Sequence, residues 1–263
     1  MFSHSQLQNC ATIIYIFMAN MKFYLKIPYT FPSNITKTID LIVPEGTPPL
    51  LIWIHGGSWN SGEKWVFNDF ERFCFHGYAV MCIEYRYSTE ASFPAQLEDC
   101  RNILNWARES AKEYGYNPDQ IMLGGCSAGG HLAALLGLSE DVCGVVDCYG
   151  PANLITLYYD SPDLCQSIYD LLGCSPSENP DLYKSASPYY CIENGKHTPF
   201  LILHGSDDPL VPRAQGSDFY KKLSEYGYDA EYFEIPGGGH GYDSPEANAA
   251  IDIFVSKHLP IIH

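Results

Sequence analysis

From Ile35 onward, short and densely apolar runs alternate with longer stretches whose apolar residues recur every three or four positions. The first pattern predicts strands and the second predicts helices with one buried face. Thr36–Val43 is the first predicted strand, followed by the turn-forming Pro44–Pro49. Leu50–Ile54 is an unbroken apolar run, as a parallel strand covered on both faces requires. Asn68–His76 predicts a helix that Gly77 ends, and Ala79–Tyr85 predicts another buried strand. Pro94–Tyr114 predicts a long helix with proline in its first turn and Leu97, Ile103, Leu104 and Ala107 near helical spacing. The alternation then runs through a strand at Ile121–Gly124, a helix at Ala128–Leu138 and strands at Gly144–Tyr149 and Phe200–His204. A helix at Gln215–Tyr226, a strand at Ala230–Ile235 and a closing helix at Pro245–His258 complete it. Strands alternating with helices of this length predict an α/β domain: a mostly parallel central sheet with helices on both faces.

Two stretches fall outside this rhythm. Ala152–Thr198 is rich in Pro, Ser, Asn and Tyr and shows one short helix-like piece around Leu164–Leu172. A long irregular segment inside a compact domain is usually functional, so it is expected to be an insertion over the carboxyl edge of the sheet, where open α/β folds bind ligands. Near the start, Ala11–Met18 is apolar but falls short of the roughly 20 residues of a membrane span. No Lys or Arg precedes it and no clear small-residue cleavage site follows. Residues 1–20 are therefore expected to be a dispensable extension, with the natural start at Met18 or Met21, ahead of a single domain over residues 21–263. With no export signal read ahead of the domain, a cytoplasmic location is expected.

Charge and cysteine content narrow the function classes. Lys and Arg total 15 against 31 Asp and Glu, a formal charge of −16. Nucleic acids and anionic membranes need clustered cations, so neither is an expected partner. A neutral substrate suits this balance better, and homo-oligomerisation is left open. The ten cysteines form no C-x-x-C pair and no zinc-ligand spacing. They are expected to be reduced and largely buried, as for Cys82 and Cys148 inside predicted strands.

The chemistry gathers in four loops. Gly125-Cys126-Ser127-Ala128-Gly129 lies between a predicted strand and a predicted helix, the context in which a G-x-S-x-G turn lifts a serine hydroxyl clear of a sheet. Ser127 is the expected nucleophile, with the following helix start aimed at the charge that develops in acyl transfer. His55-Gly56-Gly57-Ser58-Trp59 follows the strand Leu50–Ile54, and its glycines let backbone N–H groups approach a ligand closely. The N–H groups of Gly57, Ser58 and Ala128 are the candidate oxyanion hole. Trp59 and Trp65 are candidate pocket walls, whereas His55 is expected to brace the loop. Asp207 and Asp208, in the loop after Phe200–His204, are both placed to orient an imidazole. His240, in Gly237-Gly238-Gly239-His240-Gly241 after the last strand, is the histidine with both the location and the order to reach the serine. No metal or organic cofactor is required by such a Ser–His–Asp arrangement.

With these loops placed, the chain resembles the α/β-hydrolase esterases typified by bifunctional acetylxylan and feruloyl esterases, from about Ile35 to the final helix. The resemblance rests on His55–Trp59 with Gly62, Tyr85-Arg86-Tyr87, Phe93-Pro94-Ala95, Gly125–Gly130 with His131, Tyr149-Gly150-Pro151, Ser187-Pro188, His204–Pro212 and Gly239-His240-Gly241. It implies that Asp208, just before Pro209, is the third member of the triad, and Tyr149 and Pro151 join the candidate substrate contacts. Ser58 stands where the family's third glycine would be, and Cys126 where hormone-sensitive-lipase-like enzymes carry Asp. The implied activity is hydrolysis of short acyl esters, acetyl or feruloyl groups on xylan-derived oligosaccharides. A kynurenine-formamidase-like amidase or a general short-chain carboxylesterase is the alternative. A non-catalytic binding protein on the same scaffold is disfavoured by the intact Ser127, Asp208 and His240.

Overall fold

A computed structural model describes residues 20–31, 33–64, 71–241 and 244–261. Eight strands form one sheet: β1 (Met21–Thr30), β2 (Thr36–Pro44), β3 (Leu50–Ile54), β4 (Ala79–Ile83), β5 (Ile121–Cys126), β6 (Val145–Cys148), β7 (Phe200–Gly205) and β8 (Ala230–Ile235). Their order is β1-β2-β4-β3-β5-β6-β7-β8. β3 to β8 run parallel, β2 is antiparallel to β4, and β1 is antiparallel to β2. β3 hydrogen-bonds to β4 on one side and β5 on the other, so the chain reverses its direction of winding there. The carboxyl ends of neighbouring strands diverge at such a point and leave a crevice.

The continuous apolar runs have a direct explanation in the packing. Along β3, Leu50, Ile52 and Ile54 join a core with helices α2 (Ala95–Tyr114), α3 (Ala128–Ser139) and α8 (Ala214–Glu225), while Leu51 joins a second core on the other face. That second core packs Phe73 and Cys74 of α1 (Glu71–Phe75) and Ile251, Phe254 and Val255 of α9 (Pro245–His258). Successive side chains point to opposite faces, so a strand buried on both must be apolar throughout.

Several expectations need correction. The ten-residue β1 was not predicted, because it is an outer strand whose side chains are mostly half-buried or exposed and whose apolar pattern is correspondingly weak. The strand predicted to reach Tyr85 ends at Ile83. Arg86 gives its backbone N–H to Asp99 Oδ2 at 2.9 Å rather than to a ladder, and its guanidinium binds the same carboxylate at 2.7 and 2.8 Å. Leu97 is only half-buried; the buried positions of α2 include Gln96, which donates to Ala91 O at 2.7 Å, and Asp99, which holds Arg86. The helix expected at Asn68–His76 is described over Glu71–Phe75; its first three residues lie outside the described ones, as do Trp65 and residues 1–19.

The segment between β6 and β7 carries far more order than predicted: α4 (Leu154–Asp160), α5 (Pro162–Leu172), α6 (Pro180–Ser185), α7 (Pro188–Cys191) and a 3-10 turn at Ile192–Asn194. Its Asn, Ser and Pro residues are helix starts. Asn153 caps α4 through the Ile155 and Thr156 N–H groups, Asn179 caps α6 through Leu182, and prolines open α5, α6 and α7. The segment touches the carboxyl end of the sheet at several points: Phe93 N–H to Leu171 O, Ser161 Oγ to Leu210 O and Ala152 N–H to Gln215 Oε1. The nine described cysteines are free; four, including Cys82 and Cys148, are buried and five are half-buried.

Candidate active site

Ser127 joins the end of β5 to the start of α3 with φ 54° and ψ −123°. Its N–H is held by Cys148 O at 2.9 Å, and its own carbonyl accepts the His131 N–H at 3.1 Å. The turn is sharp enough that a Cβ on Gly129 would fall inside the envelope of Ile54 O, so only glycine lets α3 start this close to β3.

The loops after β7 and β8 are tied together before either reaches the serine. Ser206 N–H binds Ile235 O at 3.0 Å, Asp207 N–H binds Gly238 O at 2.9 Å, and Gly237 N–H binds Ser206 Oγ at 2.8 Å. This seam brings His240 against both partners. Its Nδ1–H donates to Asp208 Oδ2 at 2.7 Å, and its Nε2 accepts from Ser127 Oγ at 2.9 Å. The choice between adjacent aspartates is visible here. Asp208 has no exposed side-chain surface, and its Oδ1 accepts the Leu210 and Val211 N–H groups at 2.9 Å each. Asp207 is exposed, and among the described residues its carboxylate accepts only from Ser206 Oγ. Burial alone would raise the Asp208 carboxyl, but hydrogen bonds from His204, His240 and the Val211 amide outweigh it and hold the group well below the usual carboxylate range.

The loop after β3 runs against the serine. A Cβ placed on Gly56 would lie 3.2 Å from Ser127 Cβ. Gly57, Ser58 and Trp59 follow with φ of 114°, 50° and 60°, a run of left-handed backbone that folds the Asn60 and Ser61 N–H groups onto Gly57 O at 3.1 Å each. The Gly57 and Ser58 N–H groups have no protein acceptor among the described residues. The loop is clasped from several directions. His55 Nδ1–H donates to Gly56 O at 2.6 Å, Tyr87 Oη to Gly62 O at 2.6 Å and Ser88 N–H to Trp59 O at 2.8 Å. The His55 ring stacks on Tyr85 at 4.6 Å, in keeping with its expected bracing role.

Trp59 is not a pocket wall. It is 1% exposed, and its Nε1–H donates to His131 Nδ1 at 3.1 Å. His131 in turn donates from Nε2 to Ala186 O at 2.7 Å, and burial pushes its imidazole down to about 4, so it stays neutral. It ties the loop after β3 to the helical segment between β6 and β7, a role the sequence signalled only by a histidine inside an apolar helix. Tyr149 is 8% exposed, and its ring sits edge-on to His240 with centroids 4.6 Å apart. It is a wall for the imidazole more than an open contact surface, and Pro151 beside it is buried. Trp65 lies outside the described residues. Among the described residues no helix is long and apolar enough to cross a membrane.

The family model BD-FAE matches residues 39–223. Esterase LipQ of Mycobacterium tuberculosis is 30% identical over 240 residues, covering 82% of this chain and 56% of its own length. The chain spans about half the length of the curated relatives it matches. Among solved structures, a truncated carbohydrate esterase from gut microbiota superposes with a TM-score of 0.79 at 25% identity, over 90% of this chain and 96% of that one. The acylaminoacyl peptidase of Pyrococcus horikoshii reaches a TM-score of 0.81 at 20% identity, over 96% and 44%, a likeness of fold alone. The matched residues span the loop after β3, the serine turn and Asp208: the chain belongs to the BD-FAE esterase family, built on the α/β-hydrolase fold.

Proposed function

We propose that this chain is a serine carboxylesterase that removes short acyl groups, acetyl first and feruloyl second, from xylan-derived oligosaccharides. The observation that carries the reading is the unbroken relay from Ser127 Oγ to His240 Nε2 at 2.9 Å and from His240 Nδ1 to Asp208 Oδ2 at 2.7 Å. In the first step His240 takes the hydroxyl proton while Ser127 Oγ attacks the ester carbonyl. Asp208 holds the tautomer that leaves Nε2 free to accept, and its charge stabilises the imidazolium. The Gly57, Ser58 and Ala128 N–H groups stabilise the oxyanion of the tetrahedral intermediate. His240 then returns the proton to the leaving sugar oxygen. Water, deprotonated by the same imidazole, attacks the acyl carbon; the bond between that carbon and Ser127 Oγ breaks, Oγ takes the proton back from His240, and the carboxylic acid leaves.

The substrate class is supported by the likeness to a carbohydrate esterase at 25% identity and by a net charge of −16, which suits neutral glycans better than anionic ligands. The test is acetate release from acetylated xylo-oligosaccharides, run beside a feruloyl ester and N-formylkynurenine. Acetate release that disappears in Ser127→Ala supports the reading. Turnover confined to N-formylkynurenine would make the chain an amidase and overturn it.

A further inference from the structure

A second histidine lies behind the catalytic carboxylate. His204, the penultimate residue of β7 before the Asp208 loop, is fully buried. Its Nε2 lies 2.8 Å from Val211 O and 3.5 Å from Asp208 Oδ2. A carbonyl only accepts, so Nε2 carries the hydrogen, bonded to the loop carbonyl with the carboxylate oxygen 3.5 Å from the same nitrogen. On the other side of the ring, Nδ1 is buried without a hydrogen-bond partner among the described residues. A Cβ on Gly216 of α8 would approach that atom to 2.7 Å, so the ring is wedged and has little room to turn. The fully buried Asp147 of β6 shares this face of the sheet, because it pairs with Ile202, two residues before His204; burial raises its carboxyl and the nearby His204 partly offsets that.

The carboxylate accounting shows what this ring does. An ionised carboxylate offers about four acceptor sites. Asp208 fills three with the Leu210 and Val211 amides and the His240 imidazole, and His204 Nε2 lies 3.5 Å from Oδ2 as the remaining donor beside it among the described residues. We propose that His204 is a positioning residue of the active site: its Nε2–H holds the Val211 carbonyl and the Asp208 carboxylate together, so that Oδ2 stays aimed at His240. It touches neither Ser127 nor substrate and acts only through Asp208. The inference rests on the Ser127–His240–Asp208 reading.

The test uses the full chain, a p-nitrophenyl acetate assay and phosphonate titration of Ser127, so that rates are per intact site. His204→Phe removes the donor; His204→Gln restores an amide N–H near the Nε2 position. His204→Phe is expected to lower kcat per titrated site by about 10- to 100-fold with KM changed by less than about threefold, and His204→Gln to recover most of it. His204→Asn, too short to reach, replaces His204→Phe should the latter not fold, and is expected to show the same loss. In an Asp208→Asn background the His204 substitution is expected to cost almost nothing further, because the group it holds has gone. An unchanged kcat per site, a loss confined to KM, no rescue by His204→Gln, or an undiminished loss in the Asp208→Asn background would each overturn the proposal. Failure of the underlying reading looks different: wild-type Ser127 would resist labelling, or Ser127→Ala would retain activity.

Discussion

At the scale of single residues, the site combines local strain with over-determined hydrogen bonding. A non-glycine residue at φ 54°, as Ser127 is, costs about 1–3 kcal/mol, and it persists because neighbouring strands and α3 hold it. Ser127→Ala is therefore expected to lower kcat by roughly four to six orders of magnitude while leaving the melting temperature unchanged or slightly higher. Calorimetry beside a rate assay checks both halves. The two adjacent aspartates make a sharper comparison. Asp208→Asn presents the wrong group to His240 Nδ1 and is expected to cost about 10⁴-fold in kcat, whereas Asp207→Asn, on an exposed side chain, should stay within about threefold. A reversed ranking would mean that the relay uses the other carboxylate.

At the scale of elements, the proposed catalytic apparatus is four loops, and their precision comes from what grips them. The loop after β3 is held by Tyr87, Ser88 and the Trp59–His131 pair, so its backbone donors are set before any ligand arrives. Gly57 is its most constrained position, with φ 114° and a Cβ site that Ser61 O already occupies. Gly57→Ala is expected to lower kcat by about 10²- to 10³-fold, the usual loss when an oxyanion donor is displaced, with the strand and helix content by circular dichroism unchanged. The helical segment between β6 and β7 teaches a related lesson. Its Asn, Ser and Pro residues, taken for loop formers, are caps and first-turn residues of four short helices, and Asn153 and Asn179 show it directly. A proline after Asn or Ser marks a helix start as readily as a turn, and only the buried Leu164, Ile168, Leu171 and Leu172 face tells the two apart.

At the scale of the whole molecule, two buried titratable groups give stability opposing pH dependences. Burial pushes the Asp147 carboxyl up to about 6, with His204 and the Gly150 N–H only partly offsetting it. Unfolded aspartate titrates near about 3.9. The folded protein therefore keeps this proton longer, and stability falls as pH rises from about 4 to about 6, by on the order of 3 kcal/mol. His131 works the other way: with its imidazole pushed down to about 4, the unfolded chain protonates first and stability is lost as pH falls from about 6.5 to about 4. Asp147→Asn is expected to raise the melting temperature by roughly 5–10 °C at pH 7.5 and hardly at all at pH 4. Equal shifts at both pH values would show that Asp147 is not the buried charge responsible.

The amino-acid sequence by itself determined the alternation of strands and helices, the serine turn and the set of loops bearing chemistry. These rest on spacing, apolar runs and glycine placement, which are local along the chain. It left Asp207 and Asp208 equivalent as residues, Trp59 as a candidate wall, and His131 and His204 without roles. Each of those was decided by groups distant in sequence: the Gly238 carbonyl that turns Asp207 outward, the α3 imidazole that takes the Trp59 indole, the Ala186 carbonyl that orients His131, and the carboxylate facing His204. A pattern along one strand or helix states which face is buried; which polar group waits on that face is known only once the sheet has brought the other strands beside it.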